Sequence, residues 1–292
     1  MKRLQNSMNF RKTPFHSKLV DVADENYKGY FHCHEGMELL YVFEGSGTVV
    51  IDRQIHALEA GSLFLFQPFQ LHHVLGKLSQ NTPYVRSTIH FDPQALTPYI
   101  SPCKSLGPFF RQAWRDQLRM QSFPRFCDDY PIEPLLRYYN YRIPAEKPVV
   151  KLELFAQLIM QLLQFLQHRY QAAVSVDEEH SLPRTLSHIE LVMNWIEAHY
   201  AEPFELDQLA QDMHLSKYHV SHLFKQETGS TITDYLLARR AKEACFLLTA
   251  TDLPVAEIGH RVGWPLPSHF IQQFKKSIGS TPLQYRKWHS AL

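Results

Sequence analysis

His32, His34 and Glu38, side chains able to bind a metal ion, fall within seven positions of "HCHEGMELLYVFEG", residues 32–45. The adjacent His72 and His73 follow about forty positions later. Two imidazoles, a carboxylate and a further imidazole could hold Fe, Mn, Ni or Zn and leave positions open for another ligand. His32, His34, Glu38 and His73 are the set expected to share such an ion. A second chemistry fits the same region. His34, Glu38 and His73, joined by Arg86, Thr88 and His90 on a facing strand, supply the mixed donors and acceptors that hydroxyls or a carboxylate of a small effector require. A third reading has some of these histidines doing no more than satisfying nearby backbone groups. No nucleophile elbow, P-loop or GxGxxG occurs, and "HCHE" is not the HExxH of a zincin helix.

The elements that must position these residues are short strands. Over residues 30–91 the chain alternates "MELLYVF", "TVVI" and "LFLF" with turn signals at Gly45-Ser46-Gly47, Asp52-Arg53 and Ala60-Gly61. That spacing predicts a small antiparallel barrel or sandwich. Strand alternation from Glu38 puts Leu40 and Val42 on its face and Leu39, Tyr41 and Phe43 on the other. After "HFDP" nine prolines between positions 93 and 148 break the chain into short pieces with no strand pattern. Residues 149–170 then place Leu152, Phe155, Leu158, Ile159, Leu162, Leu163 and Leu166 at steps of three and four, one broad apolar helical face. Such a helix needs cover, from a second copy of the chain or from its own barrel. Residues 171–184, "QAAVSVDEEHSLPR", have no apolar period and read as a linker.

A repeat of about 50 residues marks the last third of the chain. Leu206, Leu209, Ala210, Met213 and Leu215 match Val255, Ile258, Gly259, Val262 and Trp264 at an offset of 49; Val220, Phe224, Lys225, Gly229, Ser230, Thr231 and Tyr235 match Phe270, Phe274, Lys275, Gly279, Ser280, Thr281 and Tyr285 at 50. Each copy reads as a short helix, a tight turn and a second helix, with Ala210 and Gly259 small where the two helices cross. Ser216 is placed to cap the second helix of the first copy, leaving Lys217, Tyr218, His219, Ser221, His222 and Lys225 outward. In the second copy Pro267 or Ser268 starts the helix, Phe270 and Phe274 point inward, and His269, Gln272, Gln273 and Lys275 are left outside or at the margin. These polar faces can read base edges and phosphates. A helix of ~18 residues between the copies spans roughly 27 Å, near the ~34 Å between successive major-groove faces on one side of B-DNA.

Charge and composition set limits. The 292 residues carry a formal net charge of +1, so no global field points to nucleic acid or membrane. From Arg184 onward eleven basic side chains meet eleven acidic ones, but none of the acids lies beyond Glu257. The field is therefore polarised toward the second copy. Four cysteines without a CxxC pair fit a reducing compartment, and the absence of a signal peptide or of about 18 consecutive apolar residues predicts a soluble, cytoplasmic protein without a membrane partner.

The stretch from "LAQDMHLSKYHVSHLFKQETGS" through "VAEIGHRVGW" to "HFIQQFKKSIGSTPLQYRK" resembles the double helix-turn-helix domain of AraC/XylS-type transcription regulators, over about the last hundred residues. The first ninety residues resemble the cupin-like sensor domains joined to such regulators, in "YVFEGSG", "ALEAGSLFLFQPFQLHHV" and "IHFDP". His32, His34, Glu38 and His72 or His73 match the cupin spacing HxHxxxE…H, whereas PxGxxHxxxN reads Pro68, Gln70, His73 and Lys77, without the glycine and the asparagine. The first head carries Ser221 and His222 and the second Gln272, where many relatives have arginine or glutamine. Pro265 and Pro267 lie in the second turn.

The resemblance implies an α+β chain: a cupin-like effector-sensing β-barrel over 1–95, a helical and dimerising region over 96–170, a linker over 171–184 and an all-α tandem helix-turn-helix domain over 185–292. It implies a regulator, activating rather than repressing, that binds double-stranded promoter DNA as a homodimer, answers to a sugar or other small effector and meets RNA polymerase. No catalytic residue and no obligatory cofactor is expected. The competing reading is a metal-dependent cupin enzyme, a sugar isomerase or dioxygenase, with a helical interaction module.

Overall fold

The computed structural model describes residues 10, 13–23, 29–34, 36–77, 83–115, 118, 120–124, 130–180 and 186–289. Seven strands come first: β1 (Phe15–Val22), β2 (Met37–Glu44), β3 (Ser46–Ile51), β4 (Gln54–Glu59), β5 (Leu63–Phe66), β6 (His72–Lys77) and β7 (Val85–Phe91). The helices α1 (Pro93–Ile100) and α2 (Leu106–Arg115) follow, then a two-residue strand β8 (Ser122–Phe123), α3 (Ile132–Ala145) and α4 (Pro148–His180). The proline-broken region thus yields one short strand that the sequence did not suggest.

One sheet has the order β1-β7-β2-β5-β8 and a second the order β4-β3-β6, all pairs antiparallel. Period-2 alternation sorts the side chains into three layers. Leu40, Val42, Val49, Ile51, Phe64, Phe66, Val74 and Tyr84 fill the space between the sheets. Leu39, Tyr41, Phe43, Leu65, Ile89 and Phe91 face the other way, onto the helices. There Phe155, Leu158, Ile159, Leu162, Leu163 and Leu166 of α4 are buried, so the chain's own barrel covers that part of the apolar helix.

One sequence expectation changes in α4. The helix runs on to His180, so residues 171–180 are helical rather than linker; the remainder of that linker, up to 184, lies outside the described residues. An acidic, alanine-containing run such as "QAAVSVDEE" needs no apolar period to continue a helix that is already nucleated. By length and composition alone, Pro148–Ala173 also passes as a membrane-spanning segment, because its interspersed glutamines weigh little against so many leucines.

The rest of the described chain is helical: α5 (His188–His199), α6 (Leu206–Asp212), α7 (Lys217–Thr228), α8 (Ile232–Ala250), α9 (Val255–Arg261), α10 (Pro267–Ile278) and α11 (Pro282–His289). The sequence repeat is a structural one. Both second helices, α7 and α10, end on glycines in the left-handed region, Gly229 at φ 71° and Gly279 at φ 93°. The tight turns also match: His214 at φ 55° occupies the place that Gly263 holds at φ 83°. A Cβ on Gly259 would lie 2.8 Å from Phe270 Cδ1, which is why α9 needs glycine where it meets α10.

Candidate functional site

The second helices carry the candidate DNA-reading faces. Ser216 accepts a 3.2 Å hydrogen bond from the His219 amide and so starts α7 as expected. Val220 and Phe224 anchor its inner side, while Lys217, Tyr218, His219, His222 and Lys225 are exposed and Ser221 is half-buried. Tyr218 stacks on His222, with ring centroids 5.9 Å apart, and Lys217 pairs with Asp207 at 2.9 Å on the surface. On α10, Phe270 and Phe274 are buried against Trp264 and Tyr285, and Ser268, His269, Gln272 and Lys275 are exposed. Pro267 begins this helix at a position whose amide needs no partner.

The spacer helix α8 does more than keep distance. Arg239 holds Glu197 of α5 through two hydrogen bonds of 2.7 and 2.8 Å, reaches Glu243 at 2.9 Å and lies over the Tyr200 ring. Arg240 donates to the carbonyls of Tyr200 and Glu202. Neither arginine belongs to a motif in the sequence; two adjacent guanidinium groups between Ala238 and Ala241 are the one local signal of their role.

At the other end of the molecule, His34, Glu38, His72 and His32 bring one ligand atom each to within 4.8 Å of one another. Glu38 Oε2 lies 2.9 Å from His34 Nε2, 3.1 Å from His72 Nε2 and 3.2 Å from His90 Nε2. Register explains the meeting: β2 and β7 pair Glu38 with His90, and an isolated bridge pairs His32 with His72. Three of the rings are oriented from behind. The Nδ1–H groups of His32, His34 and His72 donate to the carbonyls of Tyr30, Gly36 and Gln70 at 3.0, 2.8 and 2.9 Å. This backing through the far ring nitrogen is the arrangement that orients histidine ligands of metals.

His34, Glu38 and His72 are almost wholly buried. Burial alone would raise the Glu38 carboxyl; the imidazoles gathered round it, His90 first and then His34 and His72, reverse that and hold it well below the usual carboxylate range. For His32, burial, then the neighbouring His72, lowers the imidazole well below its ordinary value.

His73 does not join this group. On β6 the alternation that sends His72 and Val74 between the sheets sends His73 and Leu75 outward, toward α7. His73 is buried there beside Phe31, and burial pushes its imidazole down to about 4. The expected set therefore changes from His73 to His72, and the inward-facing Val74 was the sequence signal that could have chosen between them. Thr88 and Arg86 share the inward face with His90 but sit progressively farther along β7, Arg86 at roughly 13 Å of strand rise. Arg86 is 3.7 Å from Asp21 and lies over the Tyr84 ring. Between it and the cluster the interior is filled by the apolar side chains of the barrel.

The outward face of the second sheet docks on the helix-turn-helix unit. Phe31, Val50 and Leu71 share one apolar cluster with Ile189, Phe224 and Tyr235. Around them Lys242 reaches Asp52 at 3.2 Å, the Tyr235 hydroxyl donates to the Asp52 carbonyl, and Thr48 Oγ1 donates to the Glu227 carbonyl. Glu190, fully buried, closes a capping box with Ser187 and also accepts from the Ile55 amide at 3.1 Å. The S-x-x-E spacing is the local signal that could have found that cap; nothing local announces its second partner.

Residues 20–194 match a family model described as an AraC-like ligand binding domain, and residues 209–287 one described as a helix-turn-helix domain. Among characterised proteins, the chain is 28% identical over 272 residues to the HTH-type transcriptional activator RhaR of Salmonella schwarzengrund, covering 91% of each chain. It is 29% identical over 276 residues to the protein of that name from Salmonella heidelberg, again over 91% of each. Among solved structures, the C-terminal domain of the two-component response regulator yesN from Fusobacterium nucleatum is 40% identical, covering 33% of this chain and 95% of that one at a TM-score of 0.33.

Proposed function

The chain belongs to the AraC-like ligand-binding family and joins that domain to a helix-turn-helix domain, and from this premise we propose how a transcription regulator of this kind divides its work among named residues. It is a DNA-binding regulator rather than an enzyme. Promoter DNA is read by two heads: Lys217, Tyr218, His219, Ser221, His222 and Lys225 on α7, and Ser268, His269, Gln272 and Lys275 on α10. The effector is a small polar or ionic species held at the inward face of the barrel by His34, Glu38, His72 and His90. One observation carries the reading: two recognition helices with open polar faces share a chain with a barrel whose buried imidazoles converge on one carboxylate.

Effector binding shifts the population of arrangements in which the two heads meet their half-sites. Activation, with RNA polymerase as partner, is supported by the relatives named transcriptional activators. The active form is a homodimer, supported by the exposed Tyr138, Tyr141 and Val149 where α3 meets α4. Four cysteines without a CxxC pair support a cytoplasmic location. The division of labour places sensing before residue 95, dimerisation on the helices that follow and DNA binding beyond residue 185. Fluorescence anisotropy on the DNA upstream of its own gene, across a salt series, tests the proposal. Tight binding that weakens steeply with salt is expected; equal affinity for unrelated DNA at every salt concentration would overturn it.

A further inference from the structure

The His–Glu cluster has a proton problem that a carboxylate alone does not solve. In His34 and His72 the Nδ1–H is committed to a backbone carbonyl, so a neutral ring turns a bare Nε2 lone pair toward Glu38 Oε2 at 2.9 and 3.1 Å. Lone pair against carboxylate is repulsive. Protonating both rings would bury two imidazolium ions against one carboxylate, in residues no more than 4% exposed. A cation between them removes the conflict, because Nε2 and Oε2 then all point at positive charge. His32, its Nδ1 on the Tyr30 carbonyl, offers its Nε2 in the same way. His90 Nε2, 3.2 Å from the same carboxylate on the facing strand, gives Glu38 the outer contact that ligating carboxylates receive.

Size separates the candidate occupants. Ligand atoms within 4.8 Å of one another need to close by only about half an ångström to surround an ion at ordinary metal–ligand distances of about 2.1 Å, a spacing tighter than a sugar ring would need. Three imidazoles and one carboxylate suit Mn, Fe, Co, Ni or Zn; an oxygen-only site would suit Mg or Ca, and thiolates would suit Cu(I). Cys33 stays out of the site. It lies between two inward-facing histidines and faces the other way, where Lys242 and Asp52 are its charged neighbours.

That alternation has a mechanical consequence. Each of two ligands has a next-door residue in the core of the DNA-binding unit. Phe31, beside His32, packs edge-on against Tyr235 of α8 with centroids 4.8 Å apart. His73, beside His72, abuts the turn that ends α7, where a Cβ on Gly229 would lie 3.1 Å from its Cε1. The backbone ties the two segments together, since His32 and His72 exchange both amide hydrogen bonds at 3.0 Å. Drawing the ligands together on one face fixes Phe31 and His73 on the other.

We propose that His32, His34, Glu38 and His72 form a divalent first-row transition-metal site, and that its occupancy is transmitted to the first helix-turn-helix through Phe31 and His73. The inference rests on the reading of the barrel as the sensing domain and names what it senses. The metal-bound form holds the end of α7 and the start of α8 against the barrel; in the metal-free form the ligands repel and the dock loosens.

The test uses the full chain, stripped with chelator and titrated with Co(II) alone, followed by d–d absorption and elemental analysis. One ion per chain is expected, lost in His34→Ala and Glu38→Gln and retained in Phe31→Ala and His73→Ala. Stripped wild-type protein that folds and takes up no Co(II), Zn(II), Mn(II), Fe(II) or Ni(II) would overturn the site, whatever the variants do. For the relay, metal should slow hydrogen exchange of the amides from Thr228 to Tyr235 and change promoter affinity by about tenfold, within the usual range of coupling between sites. Phe31→Ala should bind metal normally and lose that change. Metal uptake with no change in exchange or affinity in wild type would overturn the relay while leaving the site. Absence of DNA binding with and without metal would instead contradict the regulator reading itself.

Discussion

Removing the Arg239 guanidinium should detach α5 from α8 and thereby the base of the first DNA-reading head. Its side chain is 11% exposed and makes two hydrogen bonds to Glu197, one to Glu243 and a stacked contact with Tyr200. Breaking a fully buried ion pair costs about 3–5 kcal/mol, because the abandoned partner keeps a charge it cannot solvate. Glu197, however, keeps 34% of its side chain in solvent and rehydrates in part, so Arg239→Ala is expected to cost about 2–3 kcal/mol. Denaturant unfolding of the wild type, both single variants and the Arg239→Ala/Glu197→Ala double variant isolates the pair. The same cycle predicts a pH dependence. Burial raises the Glu197 carboxyl, but the hydrogen bonds and charge of Arg239 outweigh it and hold it below the ordinary 4.5. A carboxyl depressed in the folded chain contributes its stability in full above about pH 4.5 and loses it as pH falls through the folded value. The cost of Arg239→Ala should therefore shrink on acidification. A loss under about 0.5 kcal/mol at pH 7, the range of an exposed pair, or a loss that stays constant into acid would refute the reasoning.

Three further outcomes are expected. His222→Ala should weaken specific DNA binding by about 1–3 kcal/mol and leave the barrel's ligand uptake unchanged; equal operator affinity in anisotropy would show that α7 reads no base through this side chain. Phe270→Ala, which empties a fully buried position under the second head, should destabilise the chain by about 3–5 kcal/mol in calorimetry, and a cost below about 1 kcal/mol would mean that α9 and α10 are not packed as described. Gly229→Ala should cost about 1–2 kcal/mol for an L-residue held at φ 71°, and it should also loosen the barrel dock, because its Cβ would lie 2.9 Å from Leu75 Cδ1. Faster proteolysis between the two units reads the second effect.

Local signals in the sequence were enough for the helical unit. The offset repeat and the cap at Ser216 stand where expected, and the matched glycines Gly229 and Gly279 prove to be left-handed helix ends, a feature set within one turn of chain. The barrel's alternation from Glu38 was equally legible. What escaped depends on distance along the chain. The choice of His72 over His73 turns on the register of β6 with β3, fixed by pairs about twenty residues apart, and a slip of one position reverses it. Asp52 read as a turn residue and is one, with φ 50°, yet its carboxylate also meets Gln70 and Lys242. Nothing near position 52 could announce a partner 190 residues away. Glu190 hid a long-range bond behind a local cap in the same way.

Hydroxyl-radical footprinting of the full-length protein on its upstream DNA tests the central claim most directly. Two recognition helices on one α8 spacer should protect two patches per protomer on the same side of the duplex, about one helical turn apart. His222→Ala should weaken the first patch and Gln272→Ala the second. A single protected patch per protomer, insensitive to one of these substitutions, would contradict the account of a two-headed reader.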